Sequence, residues 1–305
     1  MRDAFVKALT ELAEEDRKVF FITADLGFGV FDEFAVKFPK QYLNIGVAEQ
    51  NMVGVATGLG LEGRKVFTYS IANFSTLRCL EQIRNDASYH DINLTVVASG
   101  GGFTYGGLGM SHHATEDIAI MRALPGVNVV SPSTAWETYE ATKQLTNSNG
   151  VSYLRIEKGG ISSPPSHKTI FKIGQAIEMK KGSHLTMISA GGIITESLKA
   201  HEALLKKGIT SRVLSMHTVK PIDEESVILA AQDTGHILTV EEHNKIGGLG
   251  SAVSEVITKY NLNVKFGSVA LDDVYSSVVG SQDYLRKHYK LDSEEIYKKS
   301  ITLLD

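Results

Sequence analysis

Cysteine is almost missing: Cys79 stands alone in 305 residues. No intrachain disulfide can form and no metal-type cysteine spacing exists, so a reducing cytoplasm is the expected setting, with Cys79 a buried apolar filler. Long apolar runs are missing too, none approaching the roughly 20 residues that a membrane-spanning helix needs. The net charge of −4 gives no electrostatic reason to expect nucleic acid or an anionic membrane as partner. A phosphate ligand would have to find local positive charge. The first residues mix both signs and run into Glu11, Glu14 and Glu15, unlike a secretory signal. There is no short-period repeat and no low-complexity tail. What is present, 43% apolar and 22% charged residues, is the composition of a soluble globular protein long enough for two domains, each with its own core.

Along the chain, Phe5, Ala8, Leu9 and Leu12 fall at helical spacing, which predicts an amphipathic helix over 2–14. The apolar run 19–23 has strand length, and further strand candidates lie at 41–45, 65–69, 94–99, 127–131 and 151–156. They alternate with helical stretches 47–59, 74–88, 116–123 and 134–146. Such alternation implies an α/β fold with a mostly parallel sheet covered by helices on both faces, and ligands outside the carboxyl ends of the strands. The window Gly159 to Ser166, with Pro164-Pro165, cannot continue a helix or a central strand. The expected division is therefore a first domain over 1–160, a linker over 161–169 and a second α/β domain over 170–305. In the latter, strands are expected at 185–190, 211–216, 236–241 and 264–270, and helices at 193–207, 223–232, 249–260 and 292–303.

Two glycine-rich runs, 100–109 and 247–250, invite comparison with nucleotide-binding loops. Neither has the dinucleotide fingerprint in a clean βαβ unit, and neither ends in the Lys-Ser/Thr of a P-loop. The first run reads better as a mobile active-site loop. After it come His112 and His113, followed by Thr115, Glu116 and Asp117. Adjacent histidines point apart and make a poor metal pair, so no metal site is expected on this chain. The stretch reads as helix-cap chemistry, with Thr115 capping and Glu116 and Asp117 opening the next helix, and, compatibly with that, as an imidazole that hydrogen-bonds a sugar hydroxyl or relays a proton. Tyr69 or Phe74 could stack on a heteroaromatic ring or simply fill the core. Arg78, Arg155 and Lys158 are the nearest cations for a phosphate, with ordinary ion pairs as the alternative.

One acid stands out. Gly46-Val47-Ala48-Glu49-Gln50 leads into a helix rich in small residues, and Glu49 sits in its opening turn. There it either favours the positive helix N-terminus or presents a carboxyl group to a ligand.

Taken together, these segments resemble the C-terminal half of transketolase, in order and over nearly the whole chain. The pyrimidine-binding domain of that family, shared with deoxyxylulose-phosphate synthases, resembles Thr23-Ala24-Asp25-Leu26, the Glu49 segment, the aromatic stretch with Arg78 ending in Glu81-Gln82-Ile83-Arg84, and Gly109-Met110-Ser111-His112-His113. The transketolase C-terminal domain is similar to the second unit through Leu214 to Asp223 and Thr239 to Ala252. Family members hold the diphosphate of thiamine diphosphate through a divalent metal at a Gly-Asp-Gly motif in another domain, and no Gly-Asp-Gly occurs here. The resemblance therefore implies the smaller subunit of a split transketolase in an α2β2 heterotetramer. Its partner, an N-terminal transketolase subunit, would carry the diphosphate and a Mg or Ca ion.

By the same resemblance, Glu49 bonds the aminopyrimidine ring nitrogen and drives it to the imino tautomer, in a protonated or shared-proton state that burial at a subunit interface would favour. Asp25, Tyr69, Phe74 and Arg78 are the other expected cofactor contacts. His112 matches the histidine that contacts the sugar, and His113, Arg155 and Lys158 are further expected substrate or phosphate contacts. Three departures bear on the substrate: Leu108 stands where the family has an acid, Gly29 where a serine is expected, and Lys158 where an arginine often binds phosphate, a point charge being the less selective. The resemblance implies transfer of a two-carbon ketol unit between a ketose and an aldose, and these departures widen the candidate substrates to modified or non-phosphorylated sugars. The alternatives are a deoxyxylulose-phosphate-synthase-like or 2-oxo acid decarboxylating subunit and a catalytically silent interaction subunit.

Overall fold

The continuous apolar runs become the inner strands of two sheets, because a strand covered by helices on both faces has no polar side to show. The structure is a computed structural model and describes residues 1–157, 161, 163–166 and 168–305. Lys158 and part of the expected linker lie outside the described residues. The first half runs α1 (Arg2–Glu15), β1 (Val19–Thr23), α2 (Asp32–Lys37), β2 (Tyr42–Asn44), α3 (Glu49–Leu61), β3 (Lys65–Ile71), α4 (Ala72–Thr76), α5 (Leu80–Gln82), β4 (Leu94–Ser99), α6 (Asp117–Ala123), β5 (Asn128–Val130), α7 (Ala135–Leu145) and β6 (Val151–Ile156). The second half runs β7 (Ile177–Lys180), β8 (Leu185–Ala190), α8 (Ile194–Leu205), β9 (Ser211–Ser215), β10 (Thr218–Lys220), α9 (Glu224–Thr234), β11 (His236–Asn244), α10 (Leu249–Lys259), β12 (Lys265–Leu271), α11 (Gln282–His288) and α12 (Ser293–Leu304).

The first sheet has the order β10-β5-β6-β4-β3-β1-β2, and the second β12-β11-β8-β9-β7. All neighbours are parallel except β10 on β5 and β7 on β9. The expected two-domain α/β architecture is the observed one. One strand crosses between the halves: Thr218 pairs with Val130, so the second half supplies an edge of the first sheet. No helix among the described residues is long and apolar enough to cross a membrane.

The expected helix over 74–88 is broken. After α4 the chain turns at Leu77–Cys79, resumes as α5, and continues as a π-helical segment over Ile83–Ser88. The glycines of 247–250 serve internal packing. Both carboxylate oxygens of Glu241 accept backbone N–H groups at the start of α10, from Leu249 (2.7 Å) and Gly250 (2.8 Å). The protein's own acid thus takes the place an anion would occupy.

Between the halves lie two buried titratable groups of opposite sense. Thr134 caps α7 by accepting the Glu137 N–H (2.9 Å), and Glu137 reaches back past the cap to accept the Ser133 N–H (2.5 Å), one residue before a capping box would place it. Burial pushes the Glu137 carboxyl up to about 7 and the His217 imidazole, stacked on Phe171 at 4.2 Å, down to about 4. The stability that Glu137 contributes is complete below its ordinary pKa of 4.5 and is lost as pH rises through about 7. That of His217 is complete above 6.5 and is lost as pH falls through about 4. Glu137→Gln is therefore expected to raise stability at pH 8 by on the order of 2–3 kcal/mol and to change it little at pH 4, as read by denaturant titration.

Candidate active site

The carboxyl ends of β1 and β3 carry the site. The lead-in to α3 is held by Asn44, whose side-chain oxygen accepts the N–H groups of Asp25 and Gly46, both at 3.0 Å. Its amide donates to Asp25 Oδ1 at 3.1 Å. Gly46 has φ +75°, a conformation that glycine adopts without strain. Asp25, expected as a cofactor contact, is thus placed beside Asn44 as part of the tether that aims α3.

Glu49, the first residue of α3, is 4% exposed. Its Oε1 accepts from Ser70 Oγ at 3.3 Å and its Oε2 from Arg78 Nη1 at 3.4 Å. Both bonds are long, so the carboxylate is held without being saturated. The break after α4 explains Arg78: in the turn its guanidinium reaches Glu49 on one side and lies 4.1 Å over the Phe74 ring on the other. Phe74 in turn meets the His112 ring edge to face at 5.1 Å. Asn73 donates to the Ser111 carbonyl at 2.9 Å, and Ser111 Oγ bonds His112 Nδ1 at 3.0 Å. Glu49, Arg78, Phe74 and His112 therefore form one chain of contacts. Burial near Glu49 pushes the Cys79 thiol up to about 12, which keeps it protonated and inert.

Other expected contacts are placed differently. Tyr69 faces away from Glu49, because neighbouring strand residues point to opposite sides of the sheet and it is Ser70 that reaches the acid. Its ring packs against Phe5 and Phe31 at 6.1 and 4.8 Å, and burial pushes its hydroxyl up to about 12. The Tyr69 ring is core.

Arg155 is buried as well. It donates to Asp117 (2.8 Å), Glu157 (2.7 Å) and the carbonyls of Ala114 (3.1 Å) and Glu242 (3.0 Å), so a phosphate has no open face of the guanidinium to meet. His113 is 2% exposed and turned toward Gly106 and Ser276. Asp117 opens α6, but Glu116 rather than Thr115 is the N-cap, with no side-chain cap bond.

The run 100–109 divides in two. Gly101 and Gly102 lie so close to Arg155 and Glu242 that a Cβ would come within 2.4 Å of either side chain, and the Phe103 N–H donates to Glu242 at 2.6 Å. The first part is packing between the halves, whereas Gly107 and Leu108 near the histidines are exposed, Leu108 to 58%. Asn44, Ser70, Asn73 and Ser276 are site-forming residues that sequence reasoning missed. Ser70 and Asn73 fall inside the aromatic stretch already singled out, whereas Ser276 sits in no motif. Among the described residues, no group of three or more His, Cys, Asp or Glu is arranged to hold a metal ion.

Residues 1–162 match the family described as the transketolase pyrimidine binding domain, and residues 174–296 match the transketolase C-terminal domain. The chain belongs to the transketolase family. Over 302 residues this transketolase chain is 35% identical to a subunit of the apulose-4-phosphate transketolase of Phocaeicola vulgatus, spanning 98% of one chain and 96% of the other. It is 34% identical over 299 residues to the 6-deoxy-6-sulfo-D-fructose transketolase subunit SqwH of a Clostridium species, covering 98% and 92%. A solved structure described as a split gene transketolase, inactive beta4 tetramer, superposes with a TM-score of 0.90 at 35% identity, covering 99% and 97%. The chain thus carries the two domains of the C-terminal subunit of a split transketolase.

Proposed function

We propose that this chain is the pyrimidine-binding subunit of a two-chain, thiamine-diphosphate-dependent transketolase that moves a two-carbon ketol unit from a ketose to an aldose. The observation that carries this reading is Glu49, a nearly buried carboxylate with two long hydrogen bonds in the opening turn of α3. The donor set suits an aminopyrimidine: an unsaturated carboxylate for a ring nitrogen and the half-buried Phe74 ring beside it. Bound thiamine diphosphate would supply the carbanion that breaks and remakes the sugar's carbon–carbon bond. Glu49 holds or shares the proton at its carboxylate oxygens. Arg78 fixes one of those oxygens and covers one face of Phe74. His112, its Nδ1 engaged by Ser111, keeps Nε2 for a sugar hydroxyl.

A partner chain carries the diphosphate and its Mg or Ca ion in an α2β2 heterotetramer. The lack of Gly-Asp-Gly supports this, as do the names of the relatives, which call them subunits, and the inactive β4 assembly of a similar chain. Exposed Phe28, Val47, Leu77 and Met110 offer apolar surface for such a partner. The substrate in this reading is a modified sugar, in keeping with the sugars named for the relatives and with apolar Leu108 beside the histidines.

The test is to combine the chain with its partner, thiamine diphosphate and Mg, and to follow ketol transfer and carbon dioxide release. Cofactor-dependent ketol transfer, none of it from the chain alone, is expected. Carbon dioxide released from pyruvate, or no activity at all, would overturn the reading. In the same assay Arg78→Ala is expected to lower turnover about 10–100-fold through a misplaced carboxylate. Because Arg78 is 51% exposed, the fold should lose no more than about 0.5 kcal/mol.

A further inference from the structure

After β12 the chain runs without regular structure to α11, and this strap, residues 272–281, passes across the histidine loop of the first half. Its contacts are specific. The Gly280 N–H donates to the Gly106 carbonyl at 3.2 Å. The two backbones approach so closely that a Cβ at Gly106 would lie 2.5 Å from the Gly280 carbonyl oxygen. Val279 lies against Gly109, 3.3 Å from where its Cβ would be. Tyr275 lines a cavity of about 240 Å³ with Asn73, Met110 and Ser111.

The central contact is His113. Its Nε2 faces the Gly106 carbonyl at 3.2 Å. A carbonyl only accepts, so Nε2 carries the proton and Nδ1 must accept from the Ser276 hydroxyl, 2.5 Å away. Burial keeps this imidazole neutral by pushing its pKa down. The Phe103 ring packs against it edge to face at 5.2 Å. Ser276 is itself 2% exposed, so water does not replace it.

We propose that Ser276, from the second domain, is a positioning residue that locks His113 and through it fixes where the neighbouring His112 meets the sugar. The proposal rests on the reading of His112 as a sugar contact. The second domain then helps to build the substrate side of the site while leaving the Glu49 side alone.

The test uses the enzyme assembled with its partner. Ser276→Ala strands a buried Nδ1, and the expected result is a KM for the sugar raised about tenfold. Both kcat and the thiamine diphosphate concentration for half-activity should stay within twofold. Ser276→Thr, which keeps the hydroxyl, is expected to recover most of the loss, and Ser277→Ala, an exposed neighbour, to have no effect. Hydrogen–deuterium exchange on the chain by itself gives a readout that needs no activity: amides of 106–113 should exchange about tenfold faster in Ser276→Ala, with those of α3 unchanged. Should the native assembly show no ketol transfer, the functional reading fails while the exchange experiment still decides the role of Ser276. Unchanged exchange at 106–113, or a loss of sugar and cofactor affinity in equal measure, would overturn the proposal.

Discussion

Glu49→Gln is expected to leave the chain folded and able to assemble with its partner while turnover falls about a thousandfold, in the range set by removing a positioned proton-transfer group. The amide matches the carboxyl in shape and its oxygen can still accept from Ser70 Oγ; its NH2 then faces the Arg78 donor, and the half-exposed Arg78 side chain is free to turn aside. The amide cannot hold a shareable proton in the carboxyl's place. Size-exclusion chromatography of the mixed subunits, read beside the steady-state rate, separates the two effects. Full assembly with unchanged turnover would remove Glu49 from the chemistry.

Arg155→Met is expected to cost about 3–5 kcal/mol of stability, the usual penalty for breaking a buried ion pair from one side. The guanidinium faces two fully buried carboxylates, Asp117 and Glu157, and two carbonyls, one of them Glu242 in the second half. Tyr153 donates to Asp117 at 2.6 Å and the Gly192 N–H to Glu157 at 3.1 Å, and both are too weak to offset two stranded charges. Arg155→Lys is expected to recover only part of the loss, since a point charge cannot fill the planar fork. Chemical denaturation of the chain at neutral pH is the measurement. A loss under about 1 kcal/mol would show that the network is dispensable.

Strands buried on both faces were the most legible part of the sequence. The apolar runs 19–23, 94–99, 151–156 and 185–190 coincide with β1, β4, β6 and β8, since length and hydrophobicity alone mark such segments. That same burial hides which side a residue faces. Phe67, Tyr69 and Ile71 are as apolar as a core requires, and polarity gave no sign that Ser70 rather than Tyr69 would face Glu49. Strand β10 is three residues long and pairs, through Thr218 and Val130, with a strand of the other half of the chain, beyond the reach of any local pattern.

At the site, Glu49 and His112 stood out because each lies in a dense local motif. Arg155 could be read either as a phosphate contact or as an ion pair because Asp117 lies far off in sequence; Glu157, two residues on and therefore on the same face of the strand, was the local sign of the ion pair. The link between Ser276 and His113 joins residues 163 apart and leaves no trace in either segment.

The most direct measurement of the central claim is a structure of the chain assembled with its partner and thiamine diphosphate. The account predicts a Glu49 carboxylate oxygen within about 2.6–3.2 Å of a nitrogen of the aminopyrimidine ring, with Phe74 beside that ring. A carboxylate separated from the ring by another side chain, or a cofactor bound wholly within one subunit, would contradict it.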